Sequence, residues 1–346
     1  MSDIDTLPLP AEHICDNETS LIDQDLFGSV YESSSYESPA MGKSSLLKFN
    51  ERHPLRCVSS ITDPLTLGVE CHPDLKPSDV EQFTFAILNE YLQPSSSASP
   101  IDTALQLNNG LPWGHPDVDR DVSAMMACIW DLVFRLAQQI PHDHPSQERL
   151  VQFIIALRDL PIDTPSFLGD PVEHFWRGVF EFSMDACFLT IPRVDIATDE
   201  NTRQRWYNFN AFIARLARDG IGLRCAPFFC IWALYDLEVE PDPRSKAHKN
   251  YARRLDVEVP IAGRWIILCG QWIYSLCVKN YNDLCYEHLV GKNFRGPAGY
   301  SKARWCFWKE QFSVISHHFE VKDETKFVAK QALEAICGFE QNVFAM

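Results

Sequence analysis

Two pairs of closely spaced histidines have the chemistry of metal ligands. His142 and His144 flank Asp143 in a segment bounded by prolines, and His317 adjoins His318. Neighbouring residues of a helix point in different directions, so His317 and His318 do not easily bind one ion. No cysteine or further histidine stands at zinc-finger spacing from either pair. We therefore expect structural or solvated histidines and no bound metal.

Three alternating acids, Asp117, Asp119 and Asp121, have the spacing of calcium ligands. An EF-hand loop also requires Gly at its sixth position and Glu at its twelfth. Val122 and Cys128 occupy those positions. The acids are better explained as solvated groups near the positive end of the helix that follows.

A magnesium-diphosphate site of the terpene-cyclase type would need clustered acids, because magnesium binds oxygen ligands in near-octahedral order. The chain has no Asp-Asp pair. Asn282 and Asp283 faintly resemble the second metal motif of those enzymes, but Tyr286 and Val290 stand at the positions of its remaining ligands. The sequence therefore argues against this class of enzyme.

Nucleophilic catalysis has candidate residue types but no recognisable motif. The sequence contains no G-x-S-x-G, no P-loop and no G-x-G-x-x-G. Any of the twelve cysteines could meet one of the eleven histidines in space, so a Cys/His pair stays open and no catalytic residue is assigned. No cofactor is expected. Seven cysteines lie in apolar helical runs and are expected to behave as small buried hydrophobes: Cys128, Cys187, Cys230, Cys269, Cys277, Cys306 and Cys337.

Two basic stretches stand out in an otherwise acidic chain. They are either solvated linkers or a face for an acidic partner, which includes the chain's own N-terminal segment. No DNA-reading motif accompanies them, so we expect no direct contact with nucleic acid. The first stretch has Arg244, Lys246, His248, Lys249, Arg253 and Arg254, and the second has Lys292, Arg295, Lys302 and Arg304.

Composition gives the class of protein that must position these groups. The chain has 346 residues and a net charge of -16, and nine acids but no Lys or Arg fall in residues 1–40. No signal peptide and no run of about 18 apolar residues is present. We expect an intracellular protein, cytoplasmic or nuclear, that does not contact membranes.

The chain divides by composition into a tail and a body. Residues 1–73 are rich in Ser, Pro and acids, and a segment of this kind buries too little apolar area to fold alone. The prediction is a disordered acidic tail at 1–73 and a single helical domain at 74–346, with a Ser/Pro-rich loop at 94–117. An acidic tail of this kind is also a candidate site for a protein partner.

The body is predicted as an irregular all-α domain of about nine helices, because apolar residues recur every three or four positions and no alternating run indicates a strand. Ser78 and Glu81 have the spacing of a capping box. Asp131 and Arg135 form an acid-then-base pair expected on the wet side of their helix. Predicted helices lie at about 78–92, 122–140, 146–160, 170–187, 201–219, 228–237, 260–278, 301–315 and 323–339.

The helix predicted from Pro260 onwards is apolar on nearly all sides. Its stripe of Ile261, Trp265, Leu268 and Trp272 has a second apolar stripe beside it, and only a narrow strip that includes Arg264 stays polar. Such a helix is normally surrounded by others, so we expect it at the centre of the body.

Scattered aromatic and proline positions resemble a known family. They lie in Trp130–Val151, in the segment from Val259 to Ile266 and in Arg304–Phe312. The segments are similar to DUF3632, a fungal family of helical proteins of unknown function, over roughly residues 77–342. The resemblance implies an all-helical fold and a fungal origin, and it carries over no catalytic residue. Some members lie beside genes of secondary-metabolite pathways.

Three functional hypotheses follow. The first is a non-enzymatic accessory or interaction protein associated with a fungal secondary-metabolite pathway. The second is a small-molecule-binding protein, or a cofactor-independent enzyme, with an aromatic pocket. The third is a transcriptional co-regulator. Because catalytic motifs are missing, the sequence leans away from an enzyme.

Overall fold

The computed structural model describes residues 78–111, 122–160, 199–241, 244–283 and 289–344, together with the single residues 65, 67, 68, 180, 183, 184, 187 and 286. The predicted tail up to residue 64, the three alternating acids and the helix start at Asp170 lie outside these residues. All described residues belong to one compact unit, residues 45–346.

The described part of the chain contains nine α-helices and no strand, which confirms the all-α prediction. A 3-10 turn at Asp236–Glu238 and another at Lys246–Asn250 join α6 to α7. The helices are α1 (Asp79–Tyr91), α2 (Pro100–Gly110), α3 (Val122–Gln139), α4 (Pro145–Arg158), α5 (Glu200–Arg218), α6 (Ala226–Tyr235), α7 (Tyr251–Val278), α8 (Lys302–Ile315) and α9 (Asp323–Phe344).

Side-chain caps fix several helix starts. Ser78 and Glu81 form the predicted capping box at the start of α1, each side chain accepting a backbone N–H of the other. Ser301 caps α8 through a bond from the Arg304 N–H, and Asp199 caps α5 through a bond from the Thr202 N–H. Each cap satisfies one of the donors that the first turn leaves without a partner.

The prediction of a Ser/Pro-rich loop at 94–117 is wrong in part, because this segment contains α2. Ser99 caps that helix by accepting from the Asp102 N–H at 3.1 Å, and Pro100 occupies its first position. Proline suits the first turn, where its missing N–H has no partner to lose. The Pro100 that resembles a breaker is therefore a helix start.

The central helix α7 begins nine residues before the predicted start at Pro260. It contacts α5, α6, α8 and α9, as its apolar surface predicts. Pro260 lies inside it, which removes one helical hydrogen bond and costs about 3 kcal/mol in an exposed helix. Burial of Leu255, Val257 and Val259 around the proline offsets this cost.

Two glycines allow α9 to lie close against α7. A Cβ at Gly263 would lie 2.6 Å from Val328 Cγ1, and one at Gly270 would lie 2.4 Å from a ring carbon of Phe339. Beside Gly270, Cys269 has a non-helical backbone (φ -137°, ψ 24°) that kinks α7. The close approach therefore depends on the absence of a side chain at two positions seven residues, or about two helical turns, apart.

α7 is also the one described helix long and apolar enough to cross a membrane, with a mean hydropathy of 1.3 over its most apolar window. Of that window, 56% is buried against the rest of the chain. Core helices of soluble proteins meet the same criteria, so this is weak evidence for a membrane span.

The sequence predicts the Asp131–Arg135 pair on the solvent-facing side of its helix, and this prediction is wrong. Arg135 is only 2% exposed and donates to Glu81 Oε1 of α1 at 2.6 Å, while its Nε donates to the Asp131 carbonyl. The partner that decides the position of Arg135 lies 54 residues earlier in the chain.

Contacts with the body begin before the predicted tail boundary at residue 73. Leu65 is buried and its N–H donates to Gln93, and Gly68 exchanges two hydrogen bonds with the Gln139 side chain. The tail boundary itself stays a prediction.

Candidate functional site

The first basic stretch lies on the surface at the start of α7. The side chains of Arg244, Lys249 and Arg253 are exposed. Arg254 is half-buried: its guanidinium lies 4.0 Å from the Asp236 carboxylate, and it donates to the carbonyl of Val239. The stretch therefore includes the exposed first turn of α7 as well as the linker before it.

The second basic stretch is divided between surface and core. Lys292, Arg295 and Lys302 are exposed, but Arg304 is fully buried. Arg304 donates to both oxygens of Glu238, at 2.6 and 2.9 Å, and Glu238 is equally buried. The prediction that Arg304 belongs to a basic surface is wrong, because this carboxylate draws it inside.

Glu238 has four hydrogen-bond donors around its carboxylate. Besides Arg304, the Trp308 indole donates to Oε1 at 2.8 Å and the Gly291 N–H donates to Oε2 at 2.9 Å. A buried ion pair is tolerated when such bonds satisfy its remaining lone pairs. This network holds the loop before α8 against the turn after α6, so its role is structural.

The two basic stretches meet on the same segment, residues 236–239. Arg254 bonds to it from α7, and from the loop before α8 the Asn293 N–H donates to the Glu238 carbonyl at 3.1 Å. Both acids of this segment form ion pairs, Asp236 with Arg254 and Glu238 with Arg304. Stretches about forty residues apart in sequence therefore border one region of the surface.

We call the exposed Lys249, Arg253, Lys292 and Arg295 the basic surface. No described carboxylate lies within ion-pair distance of Lys249, Lys292 or Arg295. Cations without acidic neighbours produce a positive potential that attracts acidic groups.

An exposed aromatic side chain is linked to the start of α7 through two ring contacts. Phe319, in the turn after α8, is 85% exposed and stacks on His318 with ring centroids 5.5 Å apart. His318 contacts Tyr251 at 6.4 Å, and Tyr251 lies under the Arg254 guanidinium at 5.4 Å. Phe327 of α9 is 61% exposed. Sequence analysis missed Phe319, whose signal was a large apolar residue in a polar turn.

The histidines considered as metal ligands have other contacts in the structure. His144 is buried as the cap of α4, where Nδ1 accepts from the Ser146 N–H at 3.2 Å. His317 contacts Ser313, and His318 contacts Phe319, so the adjacent rings do face different partners. Among the described residues, no three His, Cys, Asp or Glu side chains are placed to hold one ion.

Three of the eight described cysteines, Cys230, Cys269 and Cys277, are buried, and Cys128, Cys187, Cys225 and Cys337 are half-buried. Burial raises the pKa of the Cys187 and Cys277 thiols to about 12, and it raises that of Cys230 and Cys269 as well. Such thiols are poor nucleophiles, because the thiolate is the reactive form. Cys306 differs from the prediction, because it lies on the exposed side of α8.

The residues of the rejected terpene-cyclase motif are dispersed. Asn282 and Asp283 are exposed, whereas Tyr286 is buried and packs against Tyr281, Phe228 and other rings. The aromatic side chain fills the core at this position.

Asp131 is the described carboxyl with the most strongly raised pKa. Burial raises its pKa to about 6, against the opposing effects of Arg135 and of a hydrogen bond with Ser183. Burial also disfavours ionisation of Glu81, but hydrogen bonds from Arg135 and Ser78 outweigh it and hold its pKa below the usual value. The pKa values of the two carboxyls near Arg135 are therefore shifted in opposite directions, a property seen at functional sites and in structural networks alike.

These features define an all-helical protein with exposed basic residues and an exposed aromatic side chain on its surface. The chain belongs to DUF3632, a family of proteins of unknown function, whose match covers residues 130–312. No curated protein and no solved structure matches the chain.

Proposed function

We propose that this protein is a non-catalytic accessory protein that binds an acidic peptide segment carrying apolar side chains. The observation that supports this role is the 85% exposed Phe319, whose ring partner His318 contacts Tyr251, a residue two positions from both Lys249 and Arg253. An aromatic anchor surrounded by polar groups is the usual composition of a protein-binding site.

The two parts of the surface favour different properties of the occupant. Lys249, Lys292 and Arg295 attract negative charge and accelerate encounter, whereas Phe319 gains free energy only when an apolar group covers it. The occupant is therefore acidic and partly apolar. Residues 1–40 of this chain have that composition, with nine acids, no Lys or Arg, and apolar residues such as Leu26 and Phe27.

A binding role also agrees with the interior of the described residues. The buried thiols have raised pKa values and are poor nucleophiles at neutral pH. The buried Glu238 carboxylate is occupied by Arg304, Trp308 and Gly291. This favours a surface function over thiol or carboxylate catalysis in the core.

The test is a fluorescence-anisotropy titration of the full-length protein into a labelled synthetic peptide of residues 1–40. Phe319→Ser is expected to weaken binding about tenfold, since an exposed anchor is lost without a change in the fold. Leu223→Ser, at another exposed apolar residue, is the matched control. A peptide with the nine acids replaced by their amides should bind much more weakly.

Competition by the chain's own N-terminal segment is part of the same experiment. If residues 41–346 bind the peptide and the full chain does not, the native occupant is intramolecular. If neither protein binds it, or the amide peptide binds equally well, the proposed function is wrong.

The family resemblance adds a biological setting to this proposal. We propose that the protein serves a fungal secondary-metabolite pathway from inside the cell, as an accessory factor and not as an enzyme of the pathway. Metabolite profiles of strains with and without the gene test this part. An unchanged profile would count against it, and turnover of a pathway intermediate by the purified protein would replace it with an enzymatic role.

A further inference from the structure

Three side chains meet where the loop after α3 packs against α5 and α7. The His142 ring contacts the Tyr207 ring, with centroids 4.1 Å apart. Nη2 of Arg264 donates to the Tyr207 hydroxyl at 3.4 Å, and the guanidinium carbon lies 5.8 Å from the centre of that ring. All three side chains are half-buried, so the group borders solvent.

α5 holds the His142 ring in place through the backbone. The His142 N–H donates to Asn208 Oδ1 at 2.9 Å, and its carbonyl accepts from Arg215 Nη2 at 2.8 Å. Because both backbone groups are bonded to α5, the ring has a fixed position against Tyr207. A residue already held in place loses less conformational entropy when a ligand binds.

Two nitrogens of this group are buried without a hydrogen-bond partner among the described residues: Nδ1 of His142 and Nε of Arg264. A buried polar atom without a partner costs about 1–3 kcal/mol. Nε and Nη2 form the edge with which a guanidinium binds a carboxylate through two parallel bonds. Of this edge, Nε lacks a partner among the described residues and Nη2 donates to the Tyr207 hydroxyl.

The cations around the group differ in their ion pairs. Glu148 lies 3.5 Å from Arg215 and 2.6 Å from Arg218, but no described carboxylate lies within ion-pair distance of Arg264. Burial, followed by Arg264, lowers the pKa of His142 to about 4, and Arg215 acts in the same direction while the exposed Asp143 opposes it. The imidazole is therefore neutral at neutral pH, and Arg264 is the cation of the group with which a bound anion would pair.

We propose that Arg264, Tyr207 and His142 form a binding site for the carboxylate of a small organic monoanion. The Nε and Nη2 edge of Arg264 donates two hydrogen bonds, and the Tyr207 hydroxyl donates a third. Because Nε is enclosed in the free protein, binding rotates the Arg264 side chain to present this edge. The site is separate from the basic surface and goes beyond the peptide-binding function proposed above.

Sodium benzoate is a suitable probe for the full-length protein, with His142 as the reporter in an NMR titration. We expect saturable binding that raises the pKa of His142, because the bound negative charge offsets that of Arg264. R264Q should raise the pKa of His142 by itself and weaken benzoate binding about tenfold, the effect of a lost charged hydrogen bond. R264K should keep the low pKa but bind weakly, since lysine has no bidentate edge.

The proposal is overturned if R264Q binds benzoate as tightly as the wild type. It is equally overturned if sodium chloride at matched ionic strength shifts the His142 titration as much as benzoate does. Y207F should weaken binding without unfolding the protein, and F319S should leave benzoate binding unchanged. Failure of this site therefore leaves the peptide-binding function untouched, and the reverse also holds.

Discussion

Two half-buried ionisable side chains have pKa values that are shifted in opposite directions. The pKa of Asp131 is raised to about 6 and that of His142 is lowered to about 4, and burial is the larger cause in both. Both groups are therefore neutral in the folded protein over part of the range in which the unfolded chain ionises them. Their contributions to stability slope in opposite directions between about pH 4 and pH 6 and partly cancel.

Asp131→Asn should reveal the contribution of Asp131 to the free energy of unfolding separately from that of His142. The folded protein binds the Asp131 proton more tightly than the unfolded chain, so this group's favourable contribution is full near pH 4 and is lost as the pH rises through 6. The variant should be more stable than the wild type above pH 6, by up to roughly 3 kcal/mol, and equally stable near pH 4. Urea unfolding at both pH values measures this, with the exposed Glu334→Gln as control. An equal difference at both pH values would contradict the burial argument.

His142→Phe should show the opposite slope. The unfolded chain takes up this proton near pH 6.5 and the folded protein only near pH 4, so the wild type loses stability as the pH falls through this range. The variant keeps a ring against Tyr207 and should not lose this contribution, which amounts to roughly 3 kcal/mol. Thermal unfolding between pH 4 and 7 measures it, with His317→Phe as the exposed control. Parallel curves for wild type and variant would disprove it.

Pairs that are local in sequence were easier to predict at this scale than pairs that are not. Ser78 and Glu81 lie three residues apart and form the bonds that their spacing predicts. Asp131 and Arg135 have an equally good local spacing, but Arg135 turns inward to Glu81. A single sequence carries no signal for a contact across 54 residues, so the burial of this arginine could not be foreseen.

Close helix packing sets the behaviour of the elements around α7. Gly263→Ala would place a methyl group 2.6 Å from Val328 Cγ1. We expect a loss of about 1–3 kcal/mol from overpacking, although alanine is the better helix former. Gly338→Ala in α9, where nothing lies within 4 Å, should instead stabilise the protein by about 0.5–1 kcal/mol. Urea unfolding distinguishes the two.

Val328→Ala provides the second half of this test. If the methyl contact is the cause, the double variant Gly263→Ala/Val328→Ala should be more stable than the sum of the single changes by at least about 0.5 kcal/mol. Simple additivity would show that Gly263 is needed for another reason.

The loop before α8 depends on the Glu238 network. Arg304→Met leaves the buried Glu238 carboxylate without its cation and should cost about 3–5 kcal/mol. Adding Glu238→Gln removes the unpaired charge and should recover part of this loss. Equilibrium unfolding of the single and double variants gives the coupling, and a loss below about 1 kcal/mol in Arg304→Met would mean that the pair is not structural.

Helix ends show which signals the sequence provides. Ser301 and Asp323 mark starts correctly, because side-chain capping and terminal charge are local effects. Proline was ambiguous: Pro100 starts α2, whereas Pro260 lies inside α7. The difference lies in tertiary burial around the proline, which periodicity alone does not reveal. The candidate site was less predictable still. The sequence shows the basic residues directly, but it does not show that the side chain of Phe319 is exposed.

The charge of the whole molecule is unevenly distributed. Residues 1–40 carry nine of the net sixteen negative charges, and the basic surface lies on the helical body. Charges at the rim of an interface act mainly on the rate of association. An aromatic anchor that becomes buried in the complex acts mainly on the rate of dissociation.

Lys292→Glu/Arg295→Glu should therefore slow association with the 1–40 peptide and make it less dependent on salt. Phe319→Ser should instead accelerate dissociation. Neither variant should change the unfolding temperature, because all three side chains are exposed. Stopped-flow anisotropy at two salt concentrations separates the rates, and equal effects on both rates in both variants would count against the division of roles.

The length of α7 has a mechanical consequence. Tyr251 begins the helix beside the basic surface, and Arg264 follows thirteen residues later, about 20 Å along the same axis. A rigid rod transmits any tilt or slide imposed at one end to the other. Should an occupant near Arg264 move this rod, reciprocity requires that the affinity for an occupant near Tyr251 change by the same factor, and vice versa.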